Sequence, residues 1–113
     1  MIPEPVSLAL KQIVPLVVAG RMEDIERIES GGRMKPEEWR TRIKDYGRKL
    51  TLPPPGDFEL ADVVPMQGKD RSGWSVWYRL WTEEEGRSDL GLQLLVFDQG
   101  GIIKLEVDDL RVA

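Results

Sequence analysis

The feature that most constrains the fold is a segment near the middle of the chain, Thr51 to Gly56, which contains three consecutive prolines. Before it, apolar residues recur at three- and four-residue spacings, and after it they alternate with polar residues. Because a proline interrupts both a helix interior and the middle of a sheet, this segment marks a boundary between two kinds of structure. Helices followed by strands predict an α+β fold, in which the helices pack on one face of the sheet.

Two to three helices are expected before the boundary. Their predicted ranges are Pro5 to Ala19, Met22 to Glu29 and Pro36 to Gly47. The second is a minor element, and Pro15 is expected to kink or break the first because it lacks a backbone N–H. The buried face of the third helix is predicted to consist of Trp39, Ile43, Tyr46 and Leu50.

Four strands are expected after the boundary. Their predicted ranges are Leu60 to Met66, Gly73 to Trp81, Leu90 to Phe97 and Ile102 to Val112. The links between them are short and rich in turn residues, and they comprise Gly68 to Asp70, Glu83 to Arg87 and Asp98 to Gly101. Such short links favour an antiparallel meander of four strands.

The composition indicates one domain and excludes several kinds of chemistry. A chain of 113 residues fits a single domain over 1–113, with a helical front at 5–50, the link at 51–56 and a sheet at 60–112. The chain has no His and no Cys, so imidazole catalysis, thiol chemistry and thiolate metal sites are excluded. We expect no metal and no cofactor. A non-enzymatic role is favoured, although catalysis by carboxylates, Lys or Tyr stays open.

The charge distribution favours an acidic binding protein in the cytoplasm. The net charge is −4, and residues 57–113 alone carry six Lys and Arg against twelve Asp and Glu. An acidic surface repels nucleic acid and attracts basic partners. Arg40, Lys44 and Arg48 form a cationic ridge along the third helix, for which a solvated helix face is the simpler interpretation. The absence of Cys fits a reducing compartment, and no segment predicts insertion into a membrane.

The tryptophan-rich strand carries the candidate binding residues. Alternation places Trp74, Val76, Tyr78 and Leu80 on one face and Ser75, Trp77, Arg79 and Trp81 on the other. Two aromatic side chains flanking an arginine would suit a protein partner. The candidate partner-binding residues are therefore Trp77, Arg79 and Trp81, together with the acidic loop residues Glu83, Glu84 and Glu85.

Two alternatives to a protein-binding face stay open. One is a pocket between helices and sheet for a small molecule or an enzymatic reaction, lined by Trp39, Tyr46, Trp74 and Tyr78. The other is a structural domain that forms a homodimer through the sheet face or an edge strand. Within the protein-binding hypothesis, an immunity-type inhibitor of a cationic toxin is one specific version.

Several segments resemble an uncharacterised family of small bacterial proteins. They are Asp45 to Gly47, Trp74 to Val76, Leu80 to Leu90 and Glu106 to Leu110, of which Thr82 to Leu90 is the most distinctive. The resemblance extends from about Val6 to the end and implies a bacterial source and a compact α+β domain, without an activity. The order of elements is also similar to cystatin-like and nuclear-transport-factor-like folds. Enzymes of the latter group commonly use His or Asp in a pocket, and this chain has no His.

Overall fold

Three helices precede an antiparallel sheet, as the α+β prediction requires. The computed structural model describes residues 1–68 and 72–113. The helices are α1 (Glu4–Val18), α2 (Met22–Ile28) and α3 (Pro36–Tyr46). The strands are β1 (Leu50–Thr51), β2 (Asp62–Gln67), β3 (Ser72–Thr82), β4 (Gly86–Gln99) and β5 (Ile102–Val112), and a 3₁₀ helix (Asp57–Leu60) precedes β2.

The helices begin and end close to the predicted positions. Helix α1 is continuous through Pro15, whose side chain is exposed, so the expected break does not occur. Helix α3 ends at Gly47, whose φ of +74° is a conformation that glycine adopts without a steric penalty. The assignment of Leu50 to the buried face of α3 was wrong. Gly47 ends the helix first, and Leu50 begins β1.

The predicted four-stranded meander is present, with one short strand added. Strands β2 to β5 pair in sequence order, and β1 joins the edge of β3 that β2 also occupies. The first predicted strand began too early, because Leu60 belongs to the 3₁₀ helix. Strand β4 begins at Gly86, so the preceding loop is shorter than predicted. In the predicted turn at Gly68 to Asp70, Lys69 and Asp70 lie outside the described residues.

The helices pack against the inner face of the sheet and form one core with it. The buried side chains of β3 and β4 on this face are Val76, Tyr78, Leu80, Leu90, Leu92, Leu94 and Val96. Those of the helices include Val6, Leu10, Ile13, Val14, Val17, Met22, Ile25 and Trp39. Burial of this many large apolar groups is the main favourable contribution to folding. The side chains that alternate with the inner ones lie on the opposite face, here called the outer face.

The segment after α2 covers the free edge of β5. The backbone N–H groups of Ser30 and Arg33 donate to the carbonyls of Leu105 and Val107, at 2.8 and 3.2 Å. The Val107 N–H in turn donates to Glu29 Oε2 at 3.1 Å. An edge strand with satisfied backbone groups is a poor template for another strand. A homodimer formed by edge pairing at β5 would first have to displace this segment.

Candidate functional site: the outer face of the sheet

The outer face combines an apolar centre with charged neighbours. The strand registers bring Val64 beside Ser75, Ser75 beside Leu95, and Gly73 beside Phe97. Val64 is 60% exposed, whereas Phe97 is only 6% exposed. Charged side chains of the same face surround this centre, and they are Asp62, Arg79, Asp89, Lys104, Glu106, Asp109 and Arg111. An apolar centre within a polar rim is the usual anatomy of a protein interface.

Trp77 lies in the middle of this face and is held in one orientation. A Cβ atom at Gly91 would stand 2.1 Å from the indole ring, so the ring rests directly on the backbone of β4. The guanidinium of Arg111 lies over the ring, 4.5 Å from its centroid, which is cation–π geometry. The indole therefore contacts both a strand backbone and a cation, while part of its surface stays accessible.

The polar residues beside Trp77 are also fixed by hydrogen bonds. Arg79 donates to the carbonyl of Ser88 at 2.8 Å and to a carboxylate oxygen of Asp89 at 2.9 Å. Gln93 donates to Ser75 Oγ at 2.7 Å and to the carbonyl of Val76 at 3.1 Å. The surroundings of Trp77 are therefore preorganised.

Trp81 makes contacts different from those of Trp77, although alternation places both indoles on the outer face, flanking Arg79. The register of β3 against β4 shifts between Arg79 and Trp81, so Trp81 pairs with Arg87. The ring of Trp81 packs over the position of Gly86, and its Nε1 donates to Asp57 Oδ2 at 2.8 Å. The indole N–H of Trp81 is therefore engaged within the chain, and Trp77 is the indole at the middle of the outer face.

Asp57 is a buried acid that the sequence pattern did not reveal. It is 5% exposed, and its Oδ2 also accepts a hydrogen bond from the hydroxyl of Tyr78. Burial, followed by the hydrogen bond to Asp57, strongly raises the pKa of Tyr78. Phe58 contacts the Tyr78 ring edge-on, with the centroids 5.3 Å apart. This arrangement attaches the 3₁₀ helix to the sheet, and its groups are held in structural contacts.

The acidic loop between β3 and β4 contacts the end of α3. Glu83 pairs with Lys49 Nζ at 3.5 Å, and Glu84 accepts the Lys49 backbone N–H at 3.0 Å. Glu85 accepts the Tyr46 hydroxyl at 2.8 Å. The three carboxylates remain exposed, but each already has an intramolecular partner. Sequence reasoning had placed them beside the tryptophan face, whereas their contacts are with Lys49, Thr82 and Tyr46.

In the part of the chain that the structure describes, the four residues of the alternative pocket have different surroundings. Trp39 is 1% exposed and belongs to the core, Tyr78 is held by Asp57, and Trp74 packs at the periphery of the core. Tyr46 borders a cleft of about 370 Å³ between α3 and the ends of β4 and β5. Tyr78 borders a separate cleft of about 150 Å³ beside Trp77. Neither cleft is lined by Trp39 or Trp74.

Carboxylates elsewhere in the described residues are spread out or paired. Within residues 1–68 and 72–113 there is no group of three or more Asp and Glu side chains placed to share a metal ion. Burial would raise the pKa of Asp109, but hydrogen bonds from Arg42 and the Leu110 N–H, with the charge of Arg111, hold it below its ordinary value. In the same part of the chain, no helix has the length and apolar character needed to cross a membrane.

Comparison with known proteins assigns the chain to a family. Residues 14–113 match the model of DUF7668, a domain of unknown function. The chain belongs to this family. The match begins within α1 and contains the whole sheet, so Trp77, Asp57 and the rest of the outer face all lie inside the DUF7668 domain. No curated protein and no solved structure gives a significant match. The resemblance to an uncharacterised family is thus confirmed.

Proposed function

We propose that this DUF7668 domain is a non-catalytic protein-interaction domain that binds a basic protein through the outer face around Trp77. The observation that carries the proposal is the partly exposed indole, seated on Gly91 and beneath Arg111, on a face whose apolar centre is surrounded by charged side chains. Tryptophan and arginine are the side chains most often found at the energetic centre of a protein interface.

The fixed geometry of this face supports tight binding. An interface that orders mobile side chains loses about 0.5–1.5 kcal/mol for each one immobilised. Here Trp77 is in contact with backbone and a guanidinium, and Arg79 and Gln93 each make two hydrogen bonds. Most of that entropic cost is therefore met during folding, before a partner arrives.

The charge of the C-terminal half supports a basic partner. Residues 57–113 carry six basic and twelve acidic side chains, and this half forms most of the sheet. On the outer face, Asp62 is exposed and makes no ion pair with another described residue. Complementary charge accelerates association and excludes partners of like charge, and salt weakens both effects.

One narrower form of the proposal is an immunity-type inhibitor in the bacterial cytoplasm that occludes a cationic toxin. It fits a small acidic domain that lacks His and Cys and presents a preorganised face. Such an inhibitor needs only steering and occlusion, and the contacts around Trp77 supply a surface for occlusion. The same face would also serve a basic partner of another kind.

Photocrosslinking from the outer face tests the proposal. A benzoylphenylalanine placed at Val64, which is 60% exposed and pairs with Ser75, two residues before Trp77, should form a salt-sensitive crosslink to a basic protein in cells of the source organism. The matched control places the same group at Leu8, which is 49% exposed on α1. Crosslinks from Leu8 alone, crosslinks to a second copy of this chain, or none from Val64 would overturn the proposal.

A further inference from the structure

A second surface lies on the helical side of the molecule, where a groove with an apolar floor runs between the end of α1, the start of α2, α3 and β1. Its volume is about 390 Å³. The apolar side chains that line it are Val17, Val18, Met22, Ile43 and Leu50. Its rim consists of the four cationic residues Arg40, Lys44, Arg48 and Lys49. The cationic ridge that the sequence indicated therefore borders an apolar groove.

The rim carries more positive charge than its neighbours neutralise. Arg40 pairs with Glu23, and Lys49 pairs with Glu83. Lys44 and Arg48 make no ion pair within residues 1–68 and 72–113, and both are exposed. Two cations without an ion pair among the described residues therefore line the groove, and the nearby carboxylate of Glu84 accepts the Lys49 backbone N–H at 3.0 Å.

The C-terminal ends of two helices also border the groove. Val17 and Val18 of α1 and Ile43 and Lys44 of α3 line it, and each helix end is equivalent to roughly half a negative charge. Such partial charges favour a nearby cation but do not account for the apolar floor beside Lys44 and Arg48. A ligand that supplies both negative charge and apolar side chains would satisfy the two together.

We infer that this groove binds an acidic amphipathic helix of a protein partner. Lys44 in the last turn of α3 and Arg48, just beyond its end, are the rim cations without an ion pair to another described residue, and they are four residues apart in the sequence. Acidic side chains at positions i and i+4 of a second helix would present two carboxylates on one face, and leucines between them would reach the floor. An extended peptide is less suited, because the strand that borders the groove in the described part of the chain is the two-residue β1. A free fatty acid is also less suited, since the groove is open and small ligands are usually enclosed.

This inference is independent of the proposed function. The groove is formed mainly by helices on the inner side of the sheet, whereas Trp77 lies on the outer face. The two surfaces also differ in ligand chemistry, because the groove selects an acidic helix and the outer face is proposed to select a basic protein. A failure of one binding experiment leaves the other unaffected.

The test uses a labelled peptide of about 18 residues that forms an amphipathic helix, with a leucine stripe flanked by glutamates at i and i+4. Its control peptide has lysine in place of every glutamate. Fluorescence anisotropy should show salt-sensitive binding of the glutamate peptide to the full chain and no binding of the lysine peptide. The double variant Lys44→Glu with Arg48→Glu should weaken binding at least about tenfold, because two attractive pairs become repulsive.

The matched control reverses two charges away from the groove, Lys11→Glu with Lys35→Glu. Both lysines are exposed, and this variant should bind within about twofold of the wild type. A milder variant, Lys44→Ala with Arg48→Ala, provides the same comparison should the charge reversal disturb the end of α3. Equal binding of the two peptides, or an equal loss in the control variant, would overturn the inference, as would full affinity in the alanine variant.

Discussion

Tyr78 and Trp81 donate hydrogen bonds to the same atom, Asp57 Oδ2, although their side chains leave β3 on opposite faces. They can share an acceptor because Asp57 stands at the edge of β3, where β2 pairing stops at Trp77 and β1 pairing begins at Trp81. Asp57 therefore fills the gap between two strands that pair with the same edge. This contact also engages the indole N–H of Trp81 within the chain.

The hydrogen bond between Tyr78 and Asp57 should contribute measurably to stability. In Tyr78→Phe the buried carboxylate keeps only the Trp81 donor, so the free energy of unfolding should fall by about 1–3 kcal/mol in urea denaturation. The matched control is Tyr46→Phe, which removes the hydrogen bond to the exposed Glu85 and the acceptor of the exposed Asp89 N–H, and it should cost less than about 1 kcal/mol because water can replace both. Equal costs for the two variants would contradict the structural role of Asp57.

Gly91 should be required for full stability, because the indole of Trp77 occupies the space that a side chain at position 91 would need. Gly91→Ala would place a methyl group about 2.1 Å from ring atoms, and we expect a loss of about 1–3 kcal/mol in unfolding free energy. In the Trp77→Ala background the same change should cost little, since the ring is gone. A double-mutant cycle measures this coupling, and additive effects would mean that the ring does not rest on Gly91.

Trp77 should matter far less for folding than Trp39. Trp77→Ala loses a partly exposed contact and a cation–π pair, so we expect a cost of about 1 kcal/mol. Trp39 is 1% exposed, and Trp39→Ala should cost about 3–5 kcal/mol because it leaves a cavity in the core. Thermal and urea unfolding provide both values. A cost for Trp77→Ala as large as that for Trp39→Ala would make Trp77 a core residue.

The contribution of Glu29 to the free energy of unfolding should depend on pH. Burial raises the pKa of Glu29, and the charges of Glu26 and Glu106 add to this, against the hydrogen bond from the Val107 N–H. When the pKa of an acid is higher in the folded than in the unfolded protein, the folded protein binds more protons. The contribution of Glu29 to the free energy of unfolding is therefore fully present below the ordinary glutamate pKa, and it is lost as the pH rises through the raised value.

Glu29→Gln removes this titration while its amide oxygen can still accept from Val107. The variant should therefore be more stable than the wild type at pH 7, and the difference should shrink toward pH 4. Unfolding free energies measured between pH 4 and pH 7 check this. A wild type that gains stability over the variant as the pH rises would show that the pKa of Glu29 is lowered.

The sequence was sufficient for the elements that periodicity and turn residues specify. Alternation placed Val76, Tyr78 and Leu80 on the buried face, and glycine at position 47 ended α3. The sequence pattern gave a wrong prediction where a long-range contact determines the secondary structure. Nothing local distinguishes Leu60 in a 3₁₀ helix from Leu60 in a strand, because the choice depends on Asp57 reaching Tyr78 and Trp81.

The candidate site was recovered only in part for the same reason. Trp77 and Arg79 lie on the outer face where alternation placed them. The irregularity after Arg79 has no local signal, so the pairing of Trp81 with Arg87 and its hydrogen bond to Asp57 were not predicted. Arg111 and Gly91 were missed because they come from other strands, and only the register brings them to Trp77.

The most direct measurement of the central claim is affinity capture by the wild type, Trp77→Ala and the control Leu8→Ala from a lysate of the source organism, at low and high salt. Leu8 is exposed on α1, so its variant keeps the outer face intact. We predict that the wild type and Leu8→Ala retain the same basic protein at low salt and that Trp77→Ala, folded by circular dichroism, does not. Retention of that protein by Trp77→Ala, or no specific protein on the wild type, would contradict the proposal.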